Sequence, residues 1–203
     1  MKKKFFISGA SGFIGSILVN GLNHLNYKII ALDKENLKYN NTSSSIITFN
    51  ADLLKFQNIN KIDKIDYFIH AAALTNPNKK RDLKSLFEIN ISLTIAALQL
   101  AKKMNVKKFI FLSSTAVYGF DKSILTNDEN TKSILTSEYS ISKFCGENLV
   151  SEFCKKENIN YMILRLGNIY SGFEKTSWSR SNLSLIQEWI NSTKKGKIMK
   201  TNS

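Results

Sequence analysis

Tyr139 and Lys143 are the residues of this sequence whose types and spacing point most directly to chemistry. Residues four apart lie on one face of a helix, so both side chains can reach the same site. A phenol that ionises near pH ~10 is a poor base at neutral pH. An ammonium about 4 Å away contributes on the order of 4 kcal/mol at an effective dielectric constant near 20, which lowers the pKa of the phenol by roughly three units. The pair therefore predicts a base that can take a proton from an alcohol.

A tyrosine and a lysine at this spacing also occur by chance on exposed amphipathic helices. A second set of residues supports the chemical interpretation, because Gly9, Gly12 and Gly15 lie between a short apolar run and the first helical pattern. The first glycine permits a tight turn, the second lets a pyrophosphate approach the backbone, and the third lets the helix pack on the strand. The N–H groups at the helix start, which includes Phe13 and Ile14, then face the phosphates. The set predicts a dinucleotide site.

Apolar runs and helical patterns alternate along the chain, and they predict the strands and helices that position the glycines, Tyr139 and Lys143. Strands are predicted at residues 4–8, 28–32, 46–49, 66–70, 108–112 and 161–165, and helices at 13–25, 86–104, 139–156 and 183–191. Strands that alternate with amphipathic helices indicate βαβ units. The predicted fold class is therefore α/β, a Rossmann-type doubly wound parallel sheet.

Composition narrows the function classes further. The 203 residues, 43% of them hydrophobic, fit one domain with a sizeable core. No apolar run is long enough for a bilayer span or a signal peptide, so a cytoplasmic location is expected. Two cysteines and two histidines predict neither a disulfide scaffold nor a zinc site. The net charge of +13 comes from scattered lysines, which makes nucleic-acid binding a weaker alternative.

Several ordered motifs resemble the extended short-chain dehydrogenases/reductases, in particular the NAD-dependent epimerase/dehydratase family. The glycine spacing GxxGxxG is typical of that family, SSTAVYG at 113–119 matches its SSxxVYG segment, and SKFCGE at 142–147 resembles SKxxGE. Asp128-Glu129-Asn130 resembles the Glu-x-x-Pro loop of the family, and RLGNIY at 165–170 resembles R-P-x-N-V-Y.

This resemblance implies roles for individual residues. Ser114 lies 25 residues before Tyr139, where the family places a hydroxyl on the reacting oxygen, so Ser114, Tyr139 and Lys143 are the expected catalytic residues. Ser114, Thr115 and Asn168 are expected to contact the substrate, with Asn168 on a phosphate. The expected cofactor contacts are Gly9, Gly12, Phe13, Ile14, Gly15, Asp33, Asp52, Leu53, Ala71, Ala72, Asn90, Tyr139 and Lys143.

Asp33 determines which dinucleotide is expected, because it ends the second strand 18 residues after Gly15. A carboxylate there accepts hydrogen bonds from the adenine ribose and repels the 2′-phosphate of NADP, which predicts NAD. Lys34 follows it directly and weakens that repulsion. His70, at the end of the fourth strand, is interpreted as a packed residue rather than a catalytic one.

The expected reaction is a 4-epimerisation of a nucleotide sugar. The 4,6-dehydratases of the family carry Thr-Asp-Glu in the SSxxVYG segment, whereas Ser114-Thr115-Ala116 offers no carboxylate. A nucleotide-sugar ketoreductase, which transfers the hydride once, is the alternative.

The C-terminal end is the main departure from the family, whose members continue past this point into a substrate-binding region. The expected division is an NAD-binding Rossmann domain at 1–170 and the start of an incomplete substrate-binding region at 171–203. The chain is therefore interpreted as a fragment, a truncated gene product or a reduced protein that binds NAD with weakened turnover. A non-catalytic NAD-binding remnant or partner subunit is the rival function. An exposed apolar patch is expected near Trp178 and Trp189. Relatives pair through the helices at 86–104 and 139–156, which implies a homodimer.

Overall fold

The computed structural model describes residues 2–37, 39, 45–57, 62, 64–75, 84–119, 128–172, 174, 176, 180 and 183–195. Its strands are β1 (Lys4–Ser8), β2 (Lys28–Asp33), β3 (Ile46–Asn50), β4 (Tyr67–His70), β5 (Lys108–Ser114) and β6 (Asn160–Leu166). Its helices are α1 (Phe13–His24), α2 (Lys84–Lys103), α3 (Glu138–Lys156) and α4 (Leu185–Lys194). Every element predicted from the sequence is present, and β5 extends to Ser114, beyond its predicted end.

The six strands form one parallel sheet in the order β3-β2-β1-β4-β5-β6. The chain runs outward from β1 to β3 and then crosses back to β4, so the strand order reverses between β1 and β4. In open sheets of this kind, ligands bind outside the carboxyl ends of the strands at that reversal. The predicted Rossmann-type α/β fold is confirmed.

The two faces of the sheet carry different side chains. Phenylalanines fill the face under α2 and α3, where the rings of Phe6 and Phe68 stack with centroids 4.6 Å apart and those of Phe68 and Phe109 with centroids 5.3 Å apart. Smaller residues such as Ile7 and Ala31 pack under α1 on the other face. The central strands are thus buried on both faces, which explains why they read as continuous apolar runs.

The edge strand β6 and the helix α4 keep apolar side chains at the surface. Met162 and Leu164 on β6 are 42% and 37% exposed, and Leu185, Ile186 and Ile190 are exposed around the half-buried Trp189 on α4. The expected apolar patch is therefore present at Trp189, while Trp178 lies outside the described residues. Among the described helices, none is long and apolar enough to cross a bilayer. The predicted division at residue 170 stays a prediction.

Candidate active site and dinucleotide cavity

The turn between β1 and α1 needs glycine for two different reasons. Gly9 has φ +75°, and a Cβ on it would lie 2.5 Å from the backbone nitrogen of Ala72. A Cβ on Gly15 would lie 2.0 Å from the carbonyl oxygen of Gly9. Gly12 is the N-cap of α1 and has no side chain to cap the first N–H groups of the helix. The turn thus packs β1, α1 and the end of β4 closely together and leaves the positive helix end uncapped.

A cavity of about 260 Å³ lies beside this turn at the carboxyl ends of β1, β2 and β4. Residues expected to bind the cofactor contribute much of its wall: Gly9, Gly12, Asp33, Asp52, Leu53, Ala71 and Ala72. The wall also includes residues without an expected role: Ser11, Leu32, Lys34, Glu35, Ala51, Leu54, Ala73, Leu74, Ile89 and Leu93. Its mostly small and apolar lining, with a few polar groups, is typical of sites for small organic ligands.

Backbone N–H groups hold the two aspartates of the cavity wall. One oxygen of Asp33 accepts from the N–H of Ser11 at 3.0 Å and the other from the N–H of Glu35 at 2.9 Å. Asp52 Oδ1 accepts from the N–H of Leu54 at 3.0 Å and caps a short 3-10 helix, Leu53–Lys55. Each oxygen keeps lone pairs for further donors, so Asp33 is a fixed acceptor beside the glycine turn.

Tyr39 is a further residue at the glycine turn that sequence analysis missed. Its hydroxyl donates to the carbonyl oxygen of Ala10, and burial raises the pKa of the phenol. The only signal in the sequence is an isolated aromatic residue in a polar stretch that reads as a loop.

Tyr139 and Ser114 meet at the carboxyl end of β5. The Ser114 hydroxyl lies close enough to the Tyr139 phenol to lower its pKa, and Ser114 Oγ accepts from the N–H of Ala116 at 3.1 Å. Tyr139 lies in the first turn of α3, which is held by a reciprocal capping box between Ser137 and Ser140. The cap fixes the start of the helix and therefore the direction of the phenol.

Lys143 lies one turn further along α3 and is only 6% exposed. Its Nζ donates to the carbonyl oxygen of Leu112 at 2.8 Å and lies 5.8 Å from the ring centroid of Tyr139. Burial lowers the pKa of Lys143 to about 8, and the charge of Glu147 acts in the opposite direction.

The structure corrects the expected acidity of Tyr139. Sequence analysis predicts that Lys143 lowers the pKa of the phenol, but the pKa of Tyr139 is raised because burial disfavours the phenolate. The Ser114 hydroxyl and the charge of Arg180 lower it by less than burial raises it. Lys143 donates a hydrogen bond to the carbonyl oxygen of Leu112, and its charge is not among the causes that shift the pKa of Tyr139.

Asn90 and His70 connect the elements around the site. The Nδ2 group of Asn90 donates to the carbonyl oxygen of Leu74 and to Ser142 Oγ, both at 3.0 Å, and its Oδ1 accepts from the N–H of Leu74 at 2.8 Å. Asn90 thereby ties the segment after β4 to α3, and its direct contact with a cofactor stays a prediction. His70 is 1% exposed with Nδ1 2.8 Å from Ser8 Oγ, and burial lowers its pKa to about 3. It is a packed neutral residue, as expected.

A buried ion pair behind Lys143 is the second feature that sequence analysis missed. Glu147 accepts from Ser113 Oγ at 2.5 Å and from Arg165 Nη2 at 2.7 Å, and the guanidinium of Arg165 lies 4.8 Å from the ring centroid of Tyr118. The network joins β5, α3 and β6. All four residues belong to motifs quoted above, but nothing in the motifs shows that they touch each other.

Thr115 and Asn168, the remaining expected substrate contacts, are exposed. Thr115 begins the 3-10 turn that Ser114 caps, and Asn168 follows the end of β6. The structure therefore brings the expected cofactor and catalytic residues to one edge of the sheet. Thr115 and Asn168 are exposed at the same edge.

Comparisons with known proteins agree with this arrangement. The family model described as NAD dependent epimerase/dehydratase family matches residues 5–202. A putative UDP-glucose 4-epimerase from Methanocaldococcus jannaschii is 34% identical over 169 residues, which cover 81% of this chain and 55% of the relative. A dTDP-D-glucose 4,6-dehydratase from Dictyostelium discoideum is 35% identical over 194 residues, covering 83% and 44%. The chain thus spans about half the length of the curated relatives it matches.

Solved structures show the same similarity. The UDP-glucuronic acid 4-epimerase of Bacillus cereus, solved in complex with NAD, has a TM-score of 0.79 and 25% identity, covering 96% of this chain and 63% of that one. The UDP-N-acetylglucosamine 4-epimerase of Methanobrevibacter ruminantium has a TM-score of 0.82 and 25% identity, covering 97% and 64%.

Proposed function

The chain belongs to the NAD-dependent epimerase/dehydratase family, and from this we propose that it binds NAD and moves a hydride at a hydroxyl-bearing carbon of a nucleotide sugar. One observation carries the proposal. The Tyr139 phenol and the Ser114 hydroxyl lie side by side at the end of β5, next to β4, and the end of β4 borders the glycine-walled cavity.

The residues of the turn and cavity fit a dinucleotide. The open backbone at Gly12 and the N–H groups of Phe13 and Ile14 would hold the pyrophosphate. Asp33 would accept hydrogen bonds from the adenine ribose, which favours NAD over NADP. The adenine would lie near Asp52 and Leu53, and the backbone at Ala71 and Ala72 would border the cofactor. NAD, when bound, supplies the acceptor for the hydride.

The proposed catalytic roles come from the resemblance to the family, and the positions of the polar side chains support them. Tyr139 accepts the hydroxyl proton of the substrate as the hydride leaves and returns it when the hydride comes back. Ser114, close to the phenol, would orient the reacting oxygen. Lys143, one helical turn after Tyr139, would hold the nicotinamide ribose. We assign Thr115 and Asn168 to the substrate, with Asn168 on its phosphate.

We propose 4-epimerase-like chemistry because the segment Ser114-Thr115-Ala116 contains no carboxylate to drive an elimination. A ketoreductase and a non-catalytic NAD-binding protein are the alternatives, and the matched relatives include both epimerases and dehydratases.

The decisive experiment titrates the purified chain with NAD and NADP and then adds UDP- and dTDP-sugars one at a time. An epimerase yields the C4 epimer with no net change in NADH, whereas a ketoreductase consumes NADH with a keto sugar. Binding of NAD without turnover on any sugar supports the non-catalytic alternative. Binding of neither dinucleotide contradicts the proposal.

We also propose that the chain forms a homodimer through α2 and α3. The two helices pack side by side, and Ile95 and Ile141 on their outer surfaces are 40% and 37% exposed. The free thiols of Cys145 and Cys154 favour a reducing compartment, and we propose the cytoplasm.

A further inference from the structure

The fold gathers lysines that are scattered along the sequence at the edge of the sheet opposite the proposed active site. The parallel strands all begin at this edge, and the helices α2 and α3 end there. The exposed lysines of this edge are named the basic face and are Lys3, Lys28, Lys64, Lys102, Lys103, Lys107, Lys155 and Lys156.

Backbone and side-chain contacts join the strand starts of the basic face. The N–H of Lys28 donates to the carbonyl oxygen of Lys3 at 3.2 Å, so β1 and β2 begin side by side. Asp66, just before β4, accepts from the N–H of Lys4 at 3.0 Å and forms an ion pair with Lys107 at 2.8 Å. The starts of the adjacent strands β2, β1, β4 and β5 therefore form one continuous surface.

The basic face keeps a strong positive charge. Among the described residues, its lysines form ion pairs with three carboxylates, in the pairs Lys102–Glu157, Lys107–Asp66 and Lys155–Glu152. The lysines of the face outnumber these carboxylates, and like charges on neighbouring strands cost folding free energy. Interaction with the negative helix ends explains the lysines that end α2 and α3, but not those at the strand starts.

The charge of the basic face is screened from the proposed active site. The strands β1 and β5 are five and seven residues long, which separates the two edges of the sheet by roughly 15 Å or more. Physiological salt screens exposed charges beyond about 8 Å. The wall of the dinucleotide cavity carries the carboxylates of Asp33, Glu35 and Asp52 instead. The basic face is therefore suited to an anionic partner other than the substrate.

Two features favour a membrane surface over a nucleic acid as that partner. The basic face is built from lysines, which are point charges, whereas arginine is the residue best suited to bidentate contacts with nucleic-acid phosphates. Leu25, at the end of α1 on the same edge, is 64% exposed, the highest value among the large apolar side chains that the structure describes as exposed. Lysine clusters beside an exposed apolar side chain are typical of surfaces that bind anionic lipids.

We propose that the basic face docks on the anionic headgroups of a membrane surface, with Leu25 entering the headgroup region. In this orientation the edge with the dinucleotide cavity faces the solvent and stays accessible to its ligands. The inference goes beyond the proposed function and does not depend on it, because neither a dinucleotide nor a sugar takes part in the docking.

The test measures cosedimentation of the full chain with vesicles of phosphatidylcholine, with and without phosphatidylglycerol, at low and high salt. The chain should bind only the vesicles that contain phosphatidylglycerol, and salt should weaken the binding. A variant of the basic face should lose about tenfold or more of this binding; its changes are Lys28→Gln, Lys64→Gln, Lys103→Gln and Lys156→Gln. A matched control removes the same charge from exposed lysines elsewhere and should bind like the parent chain; its changes are Lys55→Gln, Lys132→Gln, Lys194→Gln and Lys195→Gln.

A second pair of variants tests the apolar contact and keeps the proposal falsifiable if the fourfold variant does not fold. Leu25→Gln should weaken vesicle binding several-fold, because it removes the side chain that enters the headgroup region. Leu185→Gln, at a 59% exposed leucine on α4, is the control and should bind like the parent chain.

Three outcomes overturn the inference. The first is no binding to vesicles that contain phosphatidylglycerol, and if the chain then binds duplex RNA or DNA and the basic-face variant does not, the face belongs to a nucleic acid. The second is equal binding to vesicles without phosphatidylglycerol. The third is an equal loss in the basic-face variant and its control, since binding would then follow the total charge of the chain.

Discussion

At the scale of single residues, the site combines the buried phenol of Tyr139 with the buried ammonium of Lys143, which is hydrogen-bonded to Leu112. Tyr139 lies close to Ser114 and is desolvated, and Lys143 is buried one turn further along the same helix. Burial is the main cause of the pKa shifts of both Tyr139 and Lys143. Desolvation therefore affects the protonation of these two groups more than their attraction to each other does.

Tyr139→Phe should lower turnover by about 10²–10⁴-fold, because it removes the hydroxyl that exchanges the proton. NAD affinity should change little, since the ring and Lys143 remain. Tyr161→Phe is the matched control, because it removes a half-buried hydroxyl bound to Ser151 away from the site. Equal turnover in Tyr139→Phe and the parent chain would refute the assigned base.

Lys143 should make stability depend on pH in the alkaline range. Its pKa of about 8 in the folded chain lies below the ordinary lysine value of 10.5, so the unfolded chain binds more protons between these values. Stability should therefore rise as pH increases from about 8 to about 10.5, by an amount on the order of 3 kcal/mol. Urea unfolding of Lys143→Met across this range should lack that rise, and an identical pH dependence in both proteins would contradict it.

At the scale of elements, the glycine turn and the buried ion pair keep the site together. The turn packs α1 on β1 and on the end of β4, and Glu147 with Arg165 joins β5, α3 and β6. Both features hold the strand ends that carry catalytic groups.

Gly15→Ala should destabilise the chain and weaken NAD binding, because its Cβ would lie 2.0 Å from the Gly9 carbonyl and force α1 away from β1. Gly21→Ala in the same helix meets nothing within 4 Å and should be neutral or stabilising by up to about 1 kcal/mol. Thermal melting and NAD titration of both variants check the contrast. Tolerance of alanine at Gly15 would show that the turn is packed less closely.

Glu147→Gln should lower the unfolding free energy by about 2–3 kcal/mol, since it leaves the partly buried Arg165 without its anionic partner. Glu152→Gln, at an exposed ion pair with Lys155 on the same helix, should leave the melting temperature nearly unchanged. Equal melting temperatures for the two variants would contradict a structural role for the Glu147 network.

At the scale of the whole molecule, the parallel sheet brings distant segments to one edge. Gly9, Asp33, Ala72, Ser114 and Tyr139 are far apart in sequence, and each lies at or just after the carboxyl end of a strand or in the first turn of the helix that leads away from that edge. The outer surfaces of α2 and α3 remain available for a second copy.

Ile95→Asp should convert the proposed homodimer to a monomer, because it places a charge in an apolar interface. Ile47→Asp is a matched control, since Ile47 is an exposed isoleucine on β3, away from α2 and α3. Sedimentation velocity at several concentrations distinguishes the two states, and a monomeric parent chain would contradict the proposed dimer.

The sequence by itself determined the element order and the parallel sheet, and it predicts the chemistry of the site. Buried strands are continuous apolar runs that can be recognised in the sequence. The glycine triplet and the Tyr139–Lys143 spacing are likewise local patterns that the sequence shows directly. Only the tertiary structure decided the acidity of Tyr139, the hydrogen bond of Lys143 to Leu112, and the placement of Tyr39 and Glu147. The physical reason is that burial and contacts between segments set electrostatic energies, and neither can be read from spacing along the chain.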